Sequence, residues 1–150
     1  MDSIALLRTL LERAESERDT AITVLRQAEA HQQQARAQGD QLQAFRGDYD
    51  RRWTLQFRQS GTRELLQCQQ AFGQRLEQAI GQQHSQTSHL GNRVALARGV
   101  LLAREQRVAA VRKLIERRGR ELQHIAGRRE QRGDDEVAQR QHQRLGALQN

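Results

Sequence analysis

The sequence predicts an all-α fold: a long antiparallel two-helix coiled-coil hairpin with helix 2 extending beyond helix 1. Three observations carry that expectation. The 150 residues include no proline, the residue that costs a helix interior about 3 kcal/mol and usually stops it. Apolar residues recur every seven positions, from Leu7 through Ala14, Ala21, Ala28, Ala35 and Leu42 to Tyr49. The same spacing runs from Ile80 through Thr87, Val94, Leu101, Val108 and Ile115 to Leu122. Hydrophobic residues make up 36% of the chain and aromatics 3%, too little for a thick globular core but enough for a two-helix seam.

The elements follow in order. Helix 1 is expected from about Ile4 to Arg58, where Leu10, Leu11, Val24, Leu25, Phe45 and Trp53 add to the first stripe. The heptad phase changes between Arg58 and Leu65, and Ser60-Gly61-Thr62 lies in that gap. Glycine commonly follows a helix end and Ser or Thr caps the next start, so residues 59–62 form a tight turn. So short a connection forces antiparallel neighbours. Helix 2 is expected from about Thr62 to about residue 135, with Leu76, Leu90, Ala97, Val111 and Ile125 beside the second stripe. Asp134, Asp135 and Glu136 have the wrong sign for a helix C-terminus. They either end the helix or answer a basic partner site, leaving 136–150 as a frayed tail. The whole chain, 1–150, is expected to be a single coiled-coil unit.

At about 1.5 Å per residue, helix 1 spans roughly 80 Å and helix 2 over 100 Å. Folding at Gly61 sets Ile4 opposite the region near residue 118. Everything beyond lacks a helix 1 partner, yet Leu122 and Ile125 continue the stripe. Such a stripe frays or meets another protein. Within the seam, four consecutive alanines and several helix 2 glycines imply moderate stability, since each interior glycine costs about 1 kcal/mol against alanine. His31, Gln38 and Gln83 are the polar residues expected on the seam, where they fix register at a cost.

Charge is uneven. Eleven basic residues lie between Arg98 and Arg132 against four acidic ones, an excess of seven that equals the net charge of the chain. The basic arm therefore overlaps the unpartnered end of helix 2. The five aromatic residues, Phe45, Tyr49, Trp53, Phe57 and Phe72, all lie near the turn. Two helices cannot bury five rings between them, so part of the cluster is expected to be exposed as a protein-docking patch.

Catalysis finds little support. His84 and His89 are five apart and face different sides of a helix, while His31, His124 and His142 lack ligand spacing. No phosphate loop or nucleophile motif is present, and no catalytic, cofactor-binding or metal-binding residue is expected. The one cysteine, Cys68, permits no internal disulfide and suits a reducing compartment. No signal peptide or membrane span is expected, so the protein reads as cytosolic with at most peripheral membrane association. Nucleic-acid binding is a rival reading of the basic arm, weakened by interspersed glutamates and the lack of stacking aromatics there.

The stretch Lys113-Leu114-Ile115-Glu116-Arg117-Arg118, then Arg129-Glu130-Gln131-Arg132, then Asp134-Asp135-Glu136 with Ala138 and Arg140, resembles the C-terminal signature of the FliJ family of flagellar type III export proteins. Leu42, Phe45 and Tyr49 before the turn are similar to the family as well, and the likeness covers nearly the whole chain. It implies a non-enzymatic component of the export apparatus, at the inner face of the cell membrane by the flagellar base. It also implies an antiparallel coiled coil similar to the central stalk of rotary ATPases. The partners it implies are the hexameric export ATPase, the cytoplasmic domain of the large export-gate membrane protein, and export chaperones. No nucleic acid, small-molecule substrate or cofactor is implied. Carried over by position, the gate-docking tip would be Gln38, Leu42, Phe45, Tyr49, Phe72, Leu76 and Ala79. A family histidine is replaced by Gln83 here, with His84 adjacent. The ATPase contact falls on Arg112, Lys113, Arg117, Arg118, Leu122, Ile125, Arg128 and Arg129. The equivalent stalk of a virulence type III secretion system shares this fold and is the alternative reading.

Overall fold

The computed structural model describes residues 2–149, and of Ser60 the backbone only. Two helices account for nearly all of them: α1 (Ser3–Ser60) and α2 (Arg63–Leu148), 58 and 86 residues long. They pack antiparallel, and α2 outruns α1. Asp2 caps α1: its carboxylate accepts from the Ile4 amide at 3.2 Å and its carbonyl accepts from Leu6 at 3.3 Å, answering amides that have no partner inside the helix. Thr62 does the same for α2, its Oγ1 accepting from the Leu65 amide at 3.3 Å and its carbonyl from Leu66 at 3.1 Å. A cap by the Ser60 side chain lies outside the described residues.

Gly61 ends α1 without the left-handed backbone that commonly selects glycine there. Its reason is space. A Cβ at Gly61 would stand 2.9 Å from Cε2 of Phe57 and 3.0 Å from the Phe57 carbonyl oxygen. The expected stop near residue 135 is absent, and α2 passes through Asp134, Asp135 and Glu136 to Leu148. Acidic residues near a C-terminus cost only a few tenths of a kcal/mol to about 1 kcal/mol. The glutamines, arginines and leucines that follow favour helix, and no proline opposes it. Of the expected 136–150 tail, Asn150 lies outside the described residues.

The seam is a heptad with strict three-four alternation. On α1 the partly or fully covered positions run Ile4, Leu7, Leu11, Ala14, Arg18, Ala21 and on to Leu42, Arg46, Tyr49 and Trp53. On α2 they run from Leu66 and Gln69 through Leu76, Ile80, Val94, Ala97, Val108 and Ile115 to Arg118 and Leu122. Leu10, Val24 and Phe45, expected in the stripe, are exposed and lie one position off it. The alternation explains this: a step of three must be followed by a step of four to stay on the seam, which selects Leu11 and Leu25 instead. Ile125 is likewise exposed, because α1 has no residue to cover it.

Packing groups the residues into two compact units, Met1–Glu17 with Arg104–Asn150, and Arg18–Ala103. In the first, the terminal unit, Ala14 and Val108 are the buried apolar residues. The register is fixed by Glu15 with Arg112 at 3.2 Å, Glu17 with Arg104 at 3.0 Å and Arg107 at 3.1 Å, and Arg118 donating to the Ser3 hydroxyl at 2.9 Å. In the second, the turn unit, Ala21, Ala35, Leu76, Val94 and Ala97 are buried. Small residues let helix backbones approach closely, since interaxial distance follows the side chains at the contact. Here Glu29 meets Arg98 at 3.7 Å, and Arg46 pairs with Glu77. Gln83 is half-buried and donates to the Ala35 carbonyl at 2.9 Å and to Gln38 at 3.3 Å. His31 and Gln38 themselves are exposed, so of the three polar seam residues expected only Gln83 lies on the seam.

Candidate functional site

Two surfaces gather the residues that the sequence singled out, one in each unit. In the turn unit, α1 supplies Gln38, Leu42, Phe45 and Tyr49, and α2 supplies Phe72, Leu76 and Ala79. Leu76 is 7% exposed and belongs to the seam, whereas Phe45 is 53% exposed and Phe72 40%. Leu42, Tyr49 and Ala79 are half-buried, and Gln38 faces water. The Tyr49 and Phe72 rings meet with centroids 4.6 Å apart at an interplanar angle of 48°, a tilted contact of the favoured kind. Trp53 and Phe57 stand 6.4 Å apart, with Phe57 exposed. Seam geometry explains the split: Tyr49 and Trp53 occupy seam positions, while Phe45 and Phe72 occupy the flanking edge. What remains is an apolar surface backed by a ring pair that holds Phe72 in place.

In the terminal unit, α2 supplies the arm. Arg118 and Leu122 are half-buried, and Arg112, Lys113, Arg117, Ile125, Arg128 and Arg129 are exposed. Several of these cations already have partners: Arg112 has Glu15, and Arg117 and Arg118 share Glu121 at 3.5 and 3.2 Å. Lys113, Arg128 and Arg129 pair with no carboxylate among the described residues. Every residue of 123–149 is exposed. The arm therefore offers a bare helix: Leu122 and Ile125 on the face that continues the seam, and free guanidiniums beyond them.

One cluster was not anticipated. Arg104 sits at a seam position, and with Arg107 and Arg13 it surrounds the carboxylate of Glu17, the Arg13 contact being 3.7 Å. The signal was in the sequence: stepping by seven from Leu76 passes through Ala97 to Arg104 and Val111. A cation at a core position demands an anion across the seam. The histidines expected to be solvated, His31, His84, His89, His124 and His142, are all exposed, as is Cys68. Among the described residues no three His, Cys, Asp or Glu side chains gather in metal-binding geometry. Among them, too, no helix is long and apolar enough to cross a membrane.

No curated protein and no solved structure matches the chain. The family model described as flagellar FliJ protein matches residues 4–147. The match takes in both helices, the turn, the aromatic surface and the basic arm. The chain belongs to the FliJ family and is a component of flagellar type III protein export.

Proposed function

We propose that this chain is a stalk-like coiled coil of the flagellar export apparatus that joins two partners. The basic arm of α2 contacts and stimulates the hexameric export ATPase. The aromatic surface of the turn unit docks on the cytoplasmic domain of the large export-gate membrane protein. Export chaperones are further partners in this reading, and the protein works in the cytoplasm, held peripherally at the inner face of the membrane.

The observation that carries the reading is the unequal length of the helices. Among the described residues, 123–149 have no intramolecular cover, yet Ile125 keeps to the seam face after Leu122, and Arg128 and Arg129 follow with no carboxylate partner. A bare helix with an apolar start and free guanidiniums suits a protein groove lined by carboxylates. The aromatic surface supports the second contact, because exposed aromatic side chains such as Phe45 and Phe72 are common interface anchors.

The test is co-purification of the full chain with the export ATPase and, separately, with the gate domain from the same cell. Retention of both is expected, with arm substitutions releasing the ATPase alone and Phe45 or Phe72 substitutions releasing the gate domain alone. Retention of neither partner would overturn the reading.

A further inference from the structure

We propose that the terminal unit carries a third binding surface, a groove for an amphipathic helix that presents carboxylates beside apolar residues. The groove, about 380 Å³, is lined by Leu10, Arg13, Ala14, Glu17, Arg107 and Val111. It runs along one edge of the α1–α2 seam. Its apolar parts are Ala14 and Val111 on the seam and Leu10 at the rim, 45% exposed. The register that faces Glu17 with Arg107 faces Leu10 with Leu114 one heptad further on. Leu114 is 50% exposed, so a large apolar residue from each helix is left to water on the same edge.

The charge of the groove names the partner. Glu17 is the one carboxylate among three guanidiniums, those of Arg13, Arg104 and Arg107. Two positive charges are therefore unanswered. They are not hidden in the seam: the Arg13 side chain is 81% exposed and that of Arg107 58%. A basic groove with an apolar floor complements a helix whose apolar stripe is flanked by Asp or Glu. Arg–carboxylate pairs set the register of such a helix, and apolar contact excludes water around them. The channel between two antiparallel helices is where the ridge of a third helix packs. A second copy of this chain is a poorer match, because it carries the same net charge of +7 and is repelled by it. Nucleic acid fits less well than an acidic helix. The groove lining offers no aromatic ring for bases to stack on, and Leu10, Ala14 and Val111 would face a charged backbone. The surface is distinct from Lys113, Arg128 and Arg129 and does not depend on the ATPase assignment.

The experiment is fluorescence anisotropy with the full chain and a labelled three-heptad helical peptide carrying leucines on one face and glutamates on the flanking rows. Micromolar binding is expected. Arg13→Ser removes a rim cation without disturbing the Glu17 pairs to α2, and Leu10→Ser removes an apolar lining residue without touching charge. Each should weaken binding about tenfold, while Arg128→Ser/Arg129→Ser binds as wild type. Three results would each overturn the proposal. The first is no binding by the wild-type chain. The second is equal loss from the arm variant, or undiminished binding by both groove variants. The third is equal binding of a scrambled peptide of the same charge, or of a single-stranded oligonucleotide with the same dependence on Arg13, which would make the groove a general polyanion site.

Discussion

Phe45 and Tyr49 lie one helical turn apart on α1, and truncating each to alanine should have opposite consequences. Tyr49 occupies the seam, half-buried, with its ring 4.6 Å from that of Phe72. A fully buried aromatic costs about 3–5 kcal/mol on truncation to alanine, so a half-buried one loses about half of that. This range already contains the ring-pair contribution of about 0.5–1.5 kcal/mol, giving roughly 2 kcal/mol for Tyr49→Ala. For a chain of this size that lowers the melting temperature by about 4–8 °C. Phe45 is 53% exposed and makes no ring pair among the described residues, so Phe45→Ala should stay within about 0.5 kcal/mol of wild type. If Phe45 anchors the gate domain, the same change should cost about 2 kcal/mol or more of partner affinity, roughly thirtyfold in Kd. Far-UV circular dichroism melts and calorimetric titration of the gate domain, on the two variants side by side, read both quantities. A large melting loss for Phe45→Ala, or full gate affinity in it, would refute the assignment of that ring to a docking surface.

Other expectations follow from the packing. Gly81 and Gly99 have nothing within 4 Å of an added Cβ, so Gly81→Ala and Gly99→Ala should each raise stability by up to about 1 kcal/mol in denaturant titration. Thr62→Ala removes the cap of α2 and should cost about 1 kcal/mol; an unchanged midpoint would deny the cap a role. Leu76→Ala, at the best-covered leucine of the seam, should cost about 2–5 kcal/mol. Glu17→Gln leaves three guanidiniums without their carboxylate and should destabilise, with a loss that shrinks as salt screens their repulsion; a salt-independent loss would point to packing instead.

Much of the fold is legible in the residues. The absence of proline, the seven-residue stripes and the Gly61-Thr62 break suffice for two antiparallel helices of unequal length. What escapes is the second row of the α1 seam. Its members Arg18, Gln32, Gly39 and Arg46 are not apolar, and the doublets Leu10-Leu11 and Val24-Leu25 fit either neighbouring phase. Only the facing helix decides between them. The end of α2 escapes for a related reason: the cost of Asp134, Asp135 and Glu136 within the helix is smaller than the gain from the helix-favouring residues around them. At the candidate surfaces, the sequence identifies the aromatic cluster but cannot divide it. Whether Tyr49 or Phe45 is covered depends on a one-residue difference in heptad position. The Glu17 cluster was readable in principle, since Arg104 falls on the seven-residue row, but its charge conceals it from a search for apolar periodicity.

The arm of α2 is the contact on which the proposed stalk role depends, and ATP hydrolysis by the export ATPase of the same cell measures it. Rates are followed as the full chain is added, wild type against Arg128→Glu/Arg129→Glu. Both arginines are exposed and pair with no carboxylate among the described residues, so the variant should melt as wild type does. Stimulation by the wild-type chain and its loss in the variant are the expected results. Wild-type stimulation by the variant, with folding intact, would contradict the assignment of the arm to the ATPase.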